Sequence, residues 1–123
     1  MSTPRVSIVM PVFDSGAFLG DALASIARQT FRDYELVVVD DGSTDARTIA
    51  LCDAAAREPG VRLIRTANRG PALARNTGIE AARAPYILPV DSDDTLAPAF
   101  LARTVAVLDA EPSVDVVYTW VAL

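Results

Sequence analysis

The sequence predicts an α/β fold of the doubly wound class, with a mainly parallel sheet that carries helices on both faces. Strand-like and helix-like segments alternate without a break along the 123 residues. The strand-like segments are runs of β-branched and other apolar residues, which are typical of parallel strands covered on both faces. Such alternation favours right-handed crossovers between parallel strands. No internal repeat or linker divides the chain, so we expect one domain.

Five segments have the apolar, β-branched pattern of strands. They are 6–10 (VSIVM), 35–40 (ELVVVD), 61–65 (VRLIR), 86–90 (YILPV) and 114–121 (VDVVYTWV). Pro89 weakens the fourth prediction, because proline donates no hydrogen bond to a ladder. The fifth segment runs almost to the last residue and no helix closes it, so we expect the domain to be incomplete at its C-terminus.

Four amphipathic segments are predicted as helices, at about 18–26, 44–57, 71–82 and 98–108. Ser15 or Asp14 is placed to cap the first helix, and Ser43 and Asp45 open the second. The third and fourth helices begin with a proline, which suits the first turn of a helix because it needs no N–H partner there. Together with the strands, these helices give the order β-α-β-α-β-α-β-α-β.

Residue usage excludes several classes of function. The chain has no histidine, and all 11 of its basic residues are arginine. This excludes Ser-His-Asp and Cys-His catalysis, imidazole metal sites, Walker A loops and Schiff-base lysines. A net charge of −5 disfavours nucleic acid as a partner. Cys52 is the only cysteine, and we expect it to be a buried thiol on the second helix.

Apolar runs in the sequence are too short to span a bilayer. The run at 6–13 contains Pro11 and follows a single arginine, so it does not resemble a signal peptide. We therefore expect a cytoplasmic protein, free or held peripherally at the inner membrane face, with no direct insertion into the membrane.

Acidic residues follow two of the predicted strands. Asp40 and Asp41 end the second strand, and Asp91, Asp93 and Asp94 follow the fourth. Ligands of doubly wound folds bind at the carboxyl ends of the strands. In an extended segment Asp91 and Asp93 would project to the same side, and a set of oxygen donors without nitrogen or sulfur suits Mg²⁺ or Mn²⁺. For Asp94, capping of the fourth helix is an alternative.

Two further hypotheses concern residues near these acids. In a dinucleotide-binding fold, Asp40 would bond the ribose hydroxyls. The G-x-G-x-x-G turn expected after the first strand is replaced by PVFDSG, however, so a NAD or FAD domain is disfavoured. The segment 68–78 (NRGPALARNTG) supplies Arg69, Arg75 and Asn76. Arginine binds phosphate or carboxylate well, and Arg75 beside Asn76 favours ligand binding, whereas a solvated helix face is an equal alternative for Arg69.

Three blocks of the sequence resemble the family 2 glycosyltransferases. These are inverting enzymes with a Rossmann-like GT-A fold that binds nucleotide diphosphosugars. The blocks are VSIVMPVFDSGAFLGDALASIARQTFRDYELVVVDDGSTD, NRGPALARNTG and YILPVDSDDTLAPAFL. They cover nearly the whole chain in the order and spacing of the family, so together they are far more specific than any one block alone.

The resemblance implies roles for the residues that follow the first two strands. Pro11, Val12 and Phe13 match the segment that lines the nucleotide base. Asp40 matches the acid that contacts uracil or another base, and Asp41 lies nearer the ribose. The next residue after Phe13 is an aspartate where the family commonly has asparagine, and we expect this difference to matter little.

The resemblance also implies roles for residues in the second half of the chain. Arg75 and Asn76 match a pair near the nucleotide and the diphosphate. Asp91-Ser92-Asp93 matches the D-x-D signature, in which Asp93 is the stronger metal ligand and Asp91 binds metal or ribose. Asp94 extends this signature to the D-x-D-D form that is frequent in the family.

The implied function is transfer of a sugar, with inversion, from a nucleotide diphosphosugar to an unknown acceptor. A UDP-sugar is the expected donor, and Mn²⁺ or Mg²⁺ is the expected cofactor. In the family, the general base lies well downstream of the D-x-D, in the acceptor-binding part. We therefore expect residues 1–123 to be the donor-binding domain of a glycosyltransferase, without a candidate catalytic base and inactive alone.

Two alternatives use the same architecture. One is a non-catalytic interaction module, which would hold no divalent cation at the acidic strand ends. The other is a sugar-1-phosphate nucleotidyltransferase, but that class carries a glycine-rich loop with arginine and lysine after the first strand, which PVFDSGAF does not resemble.

Overall fold

A computed structural model describes residues 3–119 of the chain. The strands are β1 (Val6–Val12), β2 (Tyr34–Asp40), β3 (Val61–Arg65) and β4 (Tyr86–Pro89). The helices are α1 (Gly16–Ala27), α2 (Ala46–Ala56), α3 (Pro71–Ala81) and α4 (Phe100–Ala110). None of the helices in this part of the chain is long and apolar enough to cross a membrane.

The four strands form one parallel sheet in the order β3-β2-β1-β4. Every residue of β1 is buried, and so is every residue of β2 except Tyr34. Their continuous β-branched sequence is explained by this central position, where both faces of each strand are covered. The order and the parallel pairing confirm the predicted doubly wound α/β fold.

The helices divide unequally between the two faces of the sheet. α1, α2 and α4 share one apolar cluster with β1 and β2, and α3 is the only helix of the described residues that packs on the other face. The chain moves one way across the sheet from β1 to β3 and then returns past β1 to form β4. Right-handed crossovers therefore place the helix of the return step, α3, on the opposite face.

Gly78 allows α3 to lie close against the sheet. A Cβ atom at this position would collide with Cγ1 of Val9 and would lie 3.2 Å from Cγ2 of Val39. Ala74, one turn earlier on α3, is also buried against this face. Gly78 is therefore an ordinary helical residue that the packing requires.

The β4 strand lies at one edge of the sheet and ends at Pro89. The N–H of Val90 still donates to the carbonyl of Val9 at 3.0 Å, so the pairing with β1 extends one residue further. Within the described residues β4 pairs only with β1, so the missing N–H of Pro89 leaves no ladder bond unmade.

The predicted fifth strand is wrong for the part that the structure describes. Residues 114–119 have no strand conformation, and residues 120 and 121 of the prediction lie outside the described residues. The side chains of Val116 and Tyr118 are exposed. An alternating apolar segment forms a strand only when a partner supplies ladder bonds and a face to cover, and residues 114–119 have neither.

The helix starts agree only partly with the predictions. Ser15 occupies the N-cap of α1 but makes no capping hydrogen bond, and the carboxylate of Asp14 accepts the N–H groups of Thr44 and Asp45 instead. The predicted side-chain cap of α1 is therefore wrong. At α2, Asp45 is the N-cap and accepts the N–H of Thr48 at 3.0 Å, as predicted.

The α4 helix begins at Phe100, so the prediction that Pro98 opens it is wrong. Asp94 is too far upstream to cap it, and the capping alternative for Asp94 is also wrong. The N–H of Leu101, in the first turn, instead donates to Oε1 of Gln29 at 3.0 Å. A buried side chain that follows the end of α1 thus replaces a local cap.

A buried carboxylate closes the amino end of the sheet. Glu35 on β2 accepts the hydroxyl of Ser7 at 2.6 Å, the N–H of Arg83 at 2.8 Å and Nη2 of Arg62 at 2.9 Å. The hydroxyl of Ser7 in turn accepts the N–H of Ala84 at 3.0 Å. Burial alone would raise the pKa of Glu35, but these donors and the charge of Arg62 outweigh it and lower the pKa.

Cys52 is buried on α2, as predicted. Burial, followed by the negative charge of Asp40, raises the pKa of its thiol to about 11. The thiol is therefore protonated at neutral pH and belongs to the core rather than to a reactive site.

Candidate functional site

A groove of about 550 Å³ opens at the carboxyl ends of the strands. It is lined by residues that follow each of the four strands. The connection leaving β1 runs toward β2, whereas β4 lies on the other side of β1, so the groove is at the switch point of the strand order. This is where doubly wound sheets bind their ligands.

Volume alone does not single out this groove, because two others are about as large. One lies beside β4 and α4 and the other between α1 and α2, and both are lined mainly by apolar side chains. The groove at the switch point differs because four aspartates and one arginine line it, together with two phenylalanines. Convergent charge, rather than size, identifies it as the candidate site.

Residues 91–94, hereafter the acidic turn, form a tight turn directly after β4. The N–H of Asp94 donates to the carbonyl of Asp91 at 3.1 Å. One carboxylate oxygen from each of Asp91, Asp93 and Asp94 lies within 4.8 Å of the others, and all three residues are exposed. The sequence prediction assumed an extended segment, which is wrong, but the turn brings the carboxylates together as expected and adds Asp94 to the group.

The acidic turn concentrates three carboxylates in a small volume. Burial raises the pKa of Asp94, and the charges of Asp93 and Asp91 raise it further. Oxygens on opposite sides of a divalent cation lie about 4 to 5 Å apart, since each bond is about 2.0 to 2.6 Å long. The spacing and the all-oxygen donor set of the turn therefore fit a hard cation such as Mg²⁺ or Mn²⁺.

Arg75 on α3 faces the acidic turn across the groove. Its Nη2 atom lies 3.3 Å from Oδ1 of Asp91, and the side chains are 35% and 57% exposed. A pair so open to solvent contributes little to stability. The guanidinium has further N–H donors, so this contact leaves it able to bind an anion in the groove.

Asp41 shapes the side of the groove formed after β2 and β3. It is buried, and its carboxylate accepts the N–H groups of Arg69 and Gly70 and the hydroxyl of Thr66, at 2.8 to 3.1 Å. Burial would raise the pKa of Asp41, but the N–H of Arg69 and the other donors outweigh it and lower the pKa. Asp41 therefore fixes the loop that leads into α3, the helix that carries Arg75.

Gly42 makes this loop geometry possible. It has a φ of 81°, in the left-handed region that favours glycine. A Cβ atom there would also lie 2.9 Å from the backbone N of Asn68, a residue that lines the groove. The glycine after Asp41 is thus set by the close approach of two loops.

Two predicted substrate-binding residues, Asp40 and Asn76, do not line the groove, and neither do the candidates Arg69 and Asp94. The carboxylate of Asp40 is buried, accepts the N–H of Ser43 at 3.1 Å and lies 3.4 Å from Nε of Arg65. Successive residues of an extended chain point to opposite sides, which is consistent with Asp41 lining the groove and Asp40 not lining it. Asn76 is exposed on α3. The groove brings together Pro11, Val12, Phe13, Asp41, Arg75, Asp91 and Asp93.

Two phenylalanines stand at the groove with much of their surface exposed. Phe13 is 48% exposed and Phe18 is 59% exposed. The sequence analysis did not assign Phe18 to the site. Its position in the first turn of α1 was the available signal, because that turn starts at the carboxyl end of β1. Exposed aromatic faces at a binding groove suit stacking on a planar ligand group.

Asp14 links the loop after β1 to the loop after β2. It has a left-handed φ of 46°, and its N–H donates to Oγ of Ser43 at 3.0 Å. Its carboxylate accepts the N–H groups of Thr44 at 2.8 Å and Asp45 at 2.9 Å. These bonds fix the residue next to Phe13, a role that the sequence analysis did not assign to Asp14.

The parallel sheet, the helices on both of its faces and the charged groove at the switch point define a ligand-binding domain of the doubly wound α/β class. Residues 7–122 match the sequence model of glycosyl transferase family 2, and the chain belongs to this family. The family resemblance drawn from the three sequence blocks is therefore confirmed.

Known proteins of similar sequence and structure agree with this assignment. An uncharacterized glycosyltransferase of Haemophilus influenzae is 39% identical over 98 residues, which cover 79% of this chain and 39% of the relative. S. aureus TarS 1–349 in complex with UDP-GlcNAc has a TM-score of 0.79 at 30% identity and covers 86% of this chain and 31% of that one. Mannosyltransferase PcManGT from Pyrobaculum calidifontis, in complex with GDP-Man and Mn²⁺, has a TM-score of 0.76 at 30% identity.

PcManGT covers 92% of this chain and 34% of its own. The chain thus spans about a third of the length of these relatives. The likeness to TarS confirms the predicted GT-A type of fold over the part that is shared.

Proposed function

We propose that the chain is the donor-binding domain of an inverting glycosyltransferase and holds a nucleotide diphosphosugar in the groove. The observation that carries the proposal is the acidic turn opposite Arg75 at the switch point, in a chain of glycosyl transferase family 2. The groove volume of about 550 Å³ is in the range of small-molecule sites. TarS and PcManGT, each with a nucleotide sugar in its structure, support the class of ligand.

In this proposal the nucleoside lies over the residues that follow β1 and β2. Pro11 and Val12 form a wall, and Phe13 offers an exposed ring for the base. Asp41 keeps the opposite loop in place and faces the ribose side. Asp40 and Asn76 have no direct part, because both lie outside the groove. We propose a UDP-sugar as the donor, with a GDP-sugar as the competitor to be tested against it.

The diphosphate lies between Arg75 and the acidic turn. Asp91 and Asp93 would hold Mn²⁺ or Mg²⁺, and Asp94 adds a third carboxylate nearby. When bound, such an ion neutralises diphosphate charge and stabilises the departing nucleoside diphosphate as a Lewis acid. Arg75 supplies fixed positive charge from the other side of the groove through its N–H donors.

The reaction exchanges one bond for another at the anomeric carbon. The acceptor oxygen forms its bond from the face opposite the diphosphate, the bond to the diphosphate oxygen breaks, and the hydroxyl proton goes to a general base. We assign that base to none of the described carboxylates, and propose that residues 1–123 bind donor and cation without turning over alone.

Calorimetry with UDP and GDP tests the proposal. We expect UDP to bind in the presence of Mn²⁺ or Mg²⁺ and to bind weakly in EDTA. Asp93→Ala should weaken binding by at least about tenfold, or roughly 1.4 kcal/mol. Asp21→Ala is the matched control, because Asp21 is an exposed aspartate of α1 outside the groove.

Binding that is equal with EDTA and with metal, or unchanged in Asp93→Ala, would overturn the metal assignment. If neither nucleotide binds with either cation, the interaction-module alternative is favoured instead.

A further inference from the structure

We propose that two buried residues, Ser25 on α1 and Gln29 just after the end of α1, are positioning residues for the acidic turn. They hold the segment 96–101, hereafter the strap, which follows the turn and leads into α4. The inference rests on the proposed function, because it takes the acidic turn as the cation site. It deepens that function by assigning the alignment of the turn to side chains that lie outside the groove.

Ser25 anchors the first residue of the strap. Its hydroxyl accepts the N–H of Leu96 at 3.0 Å and donates to the carbonyl of Ala22 at 2.8 Å. Leu96 is only two residues beyond Asp94. The side chain of Ser25 is buried in the core side of α1, so water does not compete for these bonds.

Gln29 and the residue after it anchor the rest of the strap. The Nε2 atom of Gln29 donates to the carbonyl of Ala97 at 2.7 Å, and its Oε1 atom accepts the N–H of Leu101 at 3.0 Å. The N–H of Thr30 donates to the carbonyl of Pro98 at 2.9 Å. Both ends of one buried amide therefore hold the strap at two points, and the backbone holds it at a third.

The acidic turn is thus fixed on both sides. On the strand side, the N–H of Val90 donates to β1, and on the other side Leu96 is bound to Ser25. Only residues 91–95 lie between these anchors. The three exposed carboxylates repel one another, so the turn would spread if either anchor were lost.

The direction of the bonds argues for positioning rather than general core stability. Buried polar groups cost free energy unless they are hydrogen-bonded, and an apolar side chain would fill the same space. Ser25 and Gln29 instead direct three bonds to the strap, which is separated from them by about 70 residues of chain. The backbone that receives these bonds is the backbone that continues from the acidic turn.

Ser25→Ala and Ser7→Ala form a matched pair for the test. Both serines are buried, and each hydroxyl donates one hydrogen bond and accepts one backbone N–H. Ser7, however, lies at the amino end of β1, away from the groove. Ser7→Ala loses the stronger donor bond, because its acceptor is the carboxylate of Glu35, but only Ser25→Ala releases the strap.

The first measurement is the affinity for Mn²⁺ in the presence of UDP. Electron paramagnetic resonance of free Mn²⁺ detects the binding, at a temperature below the unfolding temperature of both variants. We expect Ser25→Ala to weaken Mn²⁺ binding by about tenfold, as loss of an outer support of a metal site does. Ser7→Ala should stay within about twofold of the unchanged chain. Equal Mn²⁺ affinity in the two variants would overturn the proposal.

The second measurement is amide hydrogen exchange without metal. In the unchanged chain the N–H groups of Leu96 and Leu101 should exchange slowly, and Ser25→Ala should speed exchange at Asp94 and Leu96 while Ser7→Ala does not. Rapid exchange at Leu96 in the unchanged chain, or the same exchange at these amides in both variants, contradicts the anchoring. If the unchanged chain binds no Mn²⁺ with UDP, the proposed function fails, and the exchange data alone decide whether the strap is anchored.

Discussion

The guanidinium of Arg75 and the carboxylate of Asp91 approach to 3.3 Å, which joins α3 to the acidic turn across the groove. The two residues belong to segments on opposite faces of the sheet. Helix α3 packs on one face, and the acidic turn leads to α4 on the other. The contact therefore connects, at the groove, segments that pack on the two faces of the sheet. An anion in the groove would bind the N–H donors of Arg75 that Asp91 does not use.

Replacement of Arg75 should weaken nucleotide binding much more than it weakens the fold. We expect Arg75→Ala to raise the Kd for UDP with Mn²⁺ by about tenfold, because a charge-assisted hydrogen bond is worth about 1.5 to 3 kcal/mol. The Kd of Arg75→Lys should lie between those of the unchanged chain and Arg75→Ala, since lysine keeps the charge without the planar fork. Calorimetry gives the Kd, and Arg103→Ala, at an exposed arginine of α4, is the control. Loss of the same affinity in both alanine variants would contradict a specific role for Arg75.

Removal of the Phe13 ring should affect binding without unfolding the domain. The side chain is 48% exposed, so Phe13→Ala gives up little core packing. Stacking of a base on an aromatic ring is worth about 1 to 3 kcal/mol, and we expect a loss of UDP affinity in this range. Phe13→Tyr keeps the ring and should retain affinity. Thermal unfolding and calorimetry on both variants check the result, and equal affinity of the Ala and Tyr variants would exclude stacking at this position.

Local sequence patterns were sufficient for the sheet but not for the boundaries set by distant contacts. The β-branched and apolar runs located β1 to β4 within two residues, and the pattern is most continuous in β1 and β2, whose faces are both covered. The start of α4 was missed because Gln29, 72 residues away, binds the N–H of Leu101. The predicted strand at 114–121 has a strand pattern, but its described part lacks a pairing partner. A strand-like sequence pattern shows that a segment is compatible with a strand, but the strand forms only when a neighbouring strand pairs with it.

Gly78 should be intolerant of even a single methyl group. Gly78→Ala places a Cβ atom against Val9 on the central strand, where neither the strand nor α3 can move freely. Overpacking of this kind costs about 1 to 3 kcal/mol, and we expect urea unfolding to show a loss in this range.

Gly20 provides the matched control for Gly78. It also lies within a helix, α1, but a Cβ atom there would have nothing within 4 Å. Gly20→Ala should therefore raise the free energy of unfolding by about 0.5 to 1 kcal/mol through the better helix propensity of alanine. If both substitutions stabilise the fold, the close approach of α3 to the sheet is refuted.

The candidate site was predictable where residues follow strands, and less so where loops meet. Asp41, Arg75, Asp91 and Asp93 reach the groove as expected, because the carboxyl ends of parallel strands share one edge. Asp40 does not, because a strand alternates the direction of its side chains and the sequence could not tell which of the two acids faces the groove.

The buried Glu35 should make stability depend on pH in a defined direction. Its pKa is lower in the folded chain than in the unfolded chain, so its contribution is present above about pH 4.3 and is lost as the pH falls through the folded-state pKa. Glu35→Gln removes the charge that faces Arg62 and Arg83. We expect a loss of about 2 kcal/mol at pH 7, since hydrogen bonds to a charged group are replaced by weaker ones.

The difference between the unchanged chain and Glu35→Gln should therefore shrink as the pH is lowered from 7 to 3, because the protonated carboxyl then resembles the amide. Urea unfolding at pH 7, 5 and 3 measures it. Glu58→Gln is the control, since Glu58 is exposed and its replacement should change stability by less than about 0.5 kcal/mol at any of these values. A difference that is constant with pH would mean that Glu35 stabilises the fold by shape and packing, and that its charge contributes nothing to the closure of this end of the sheet.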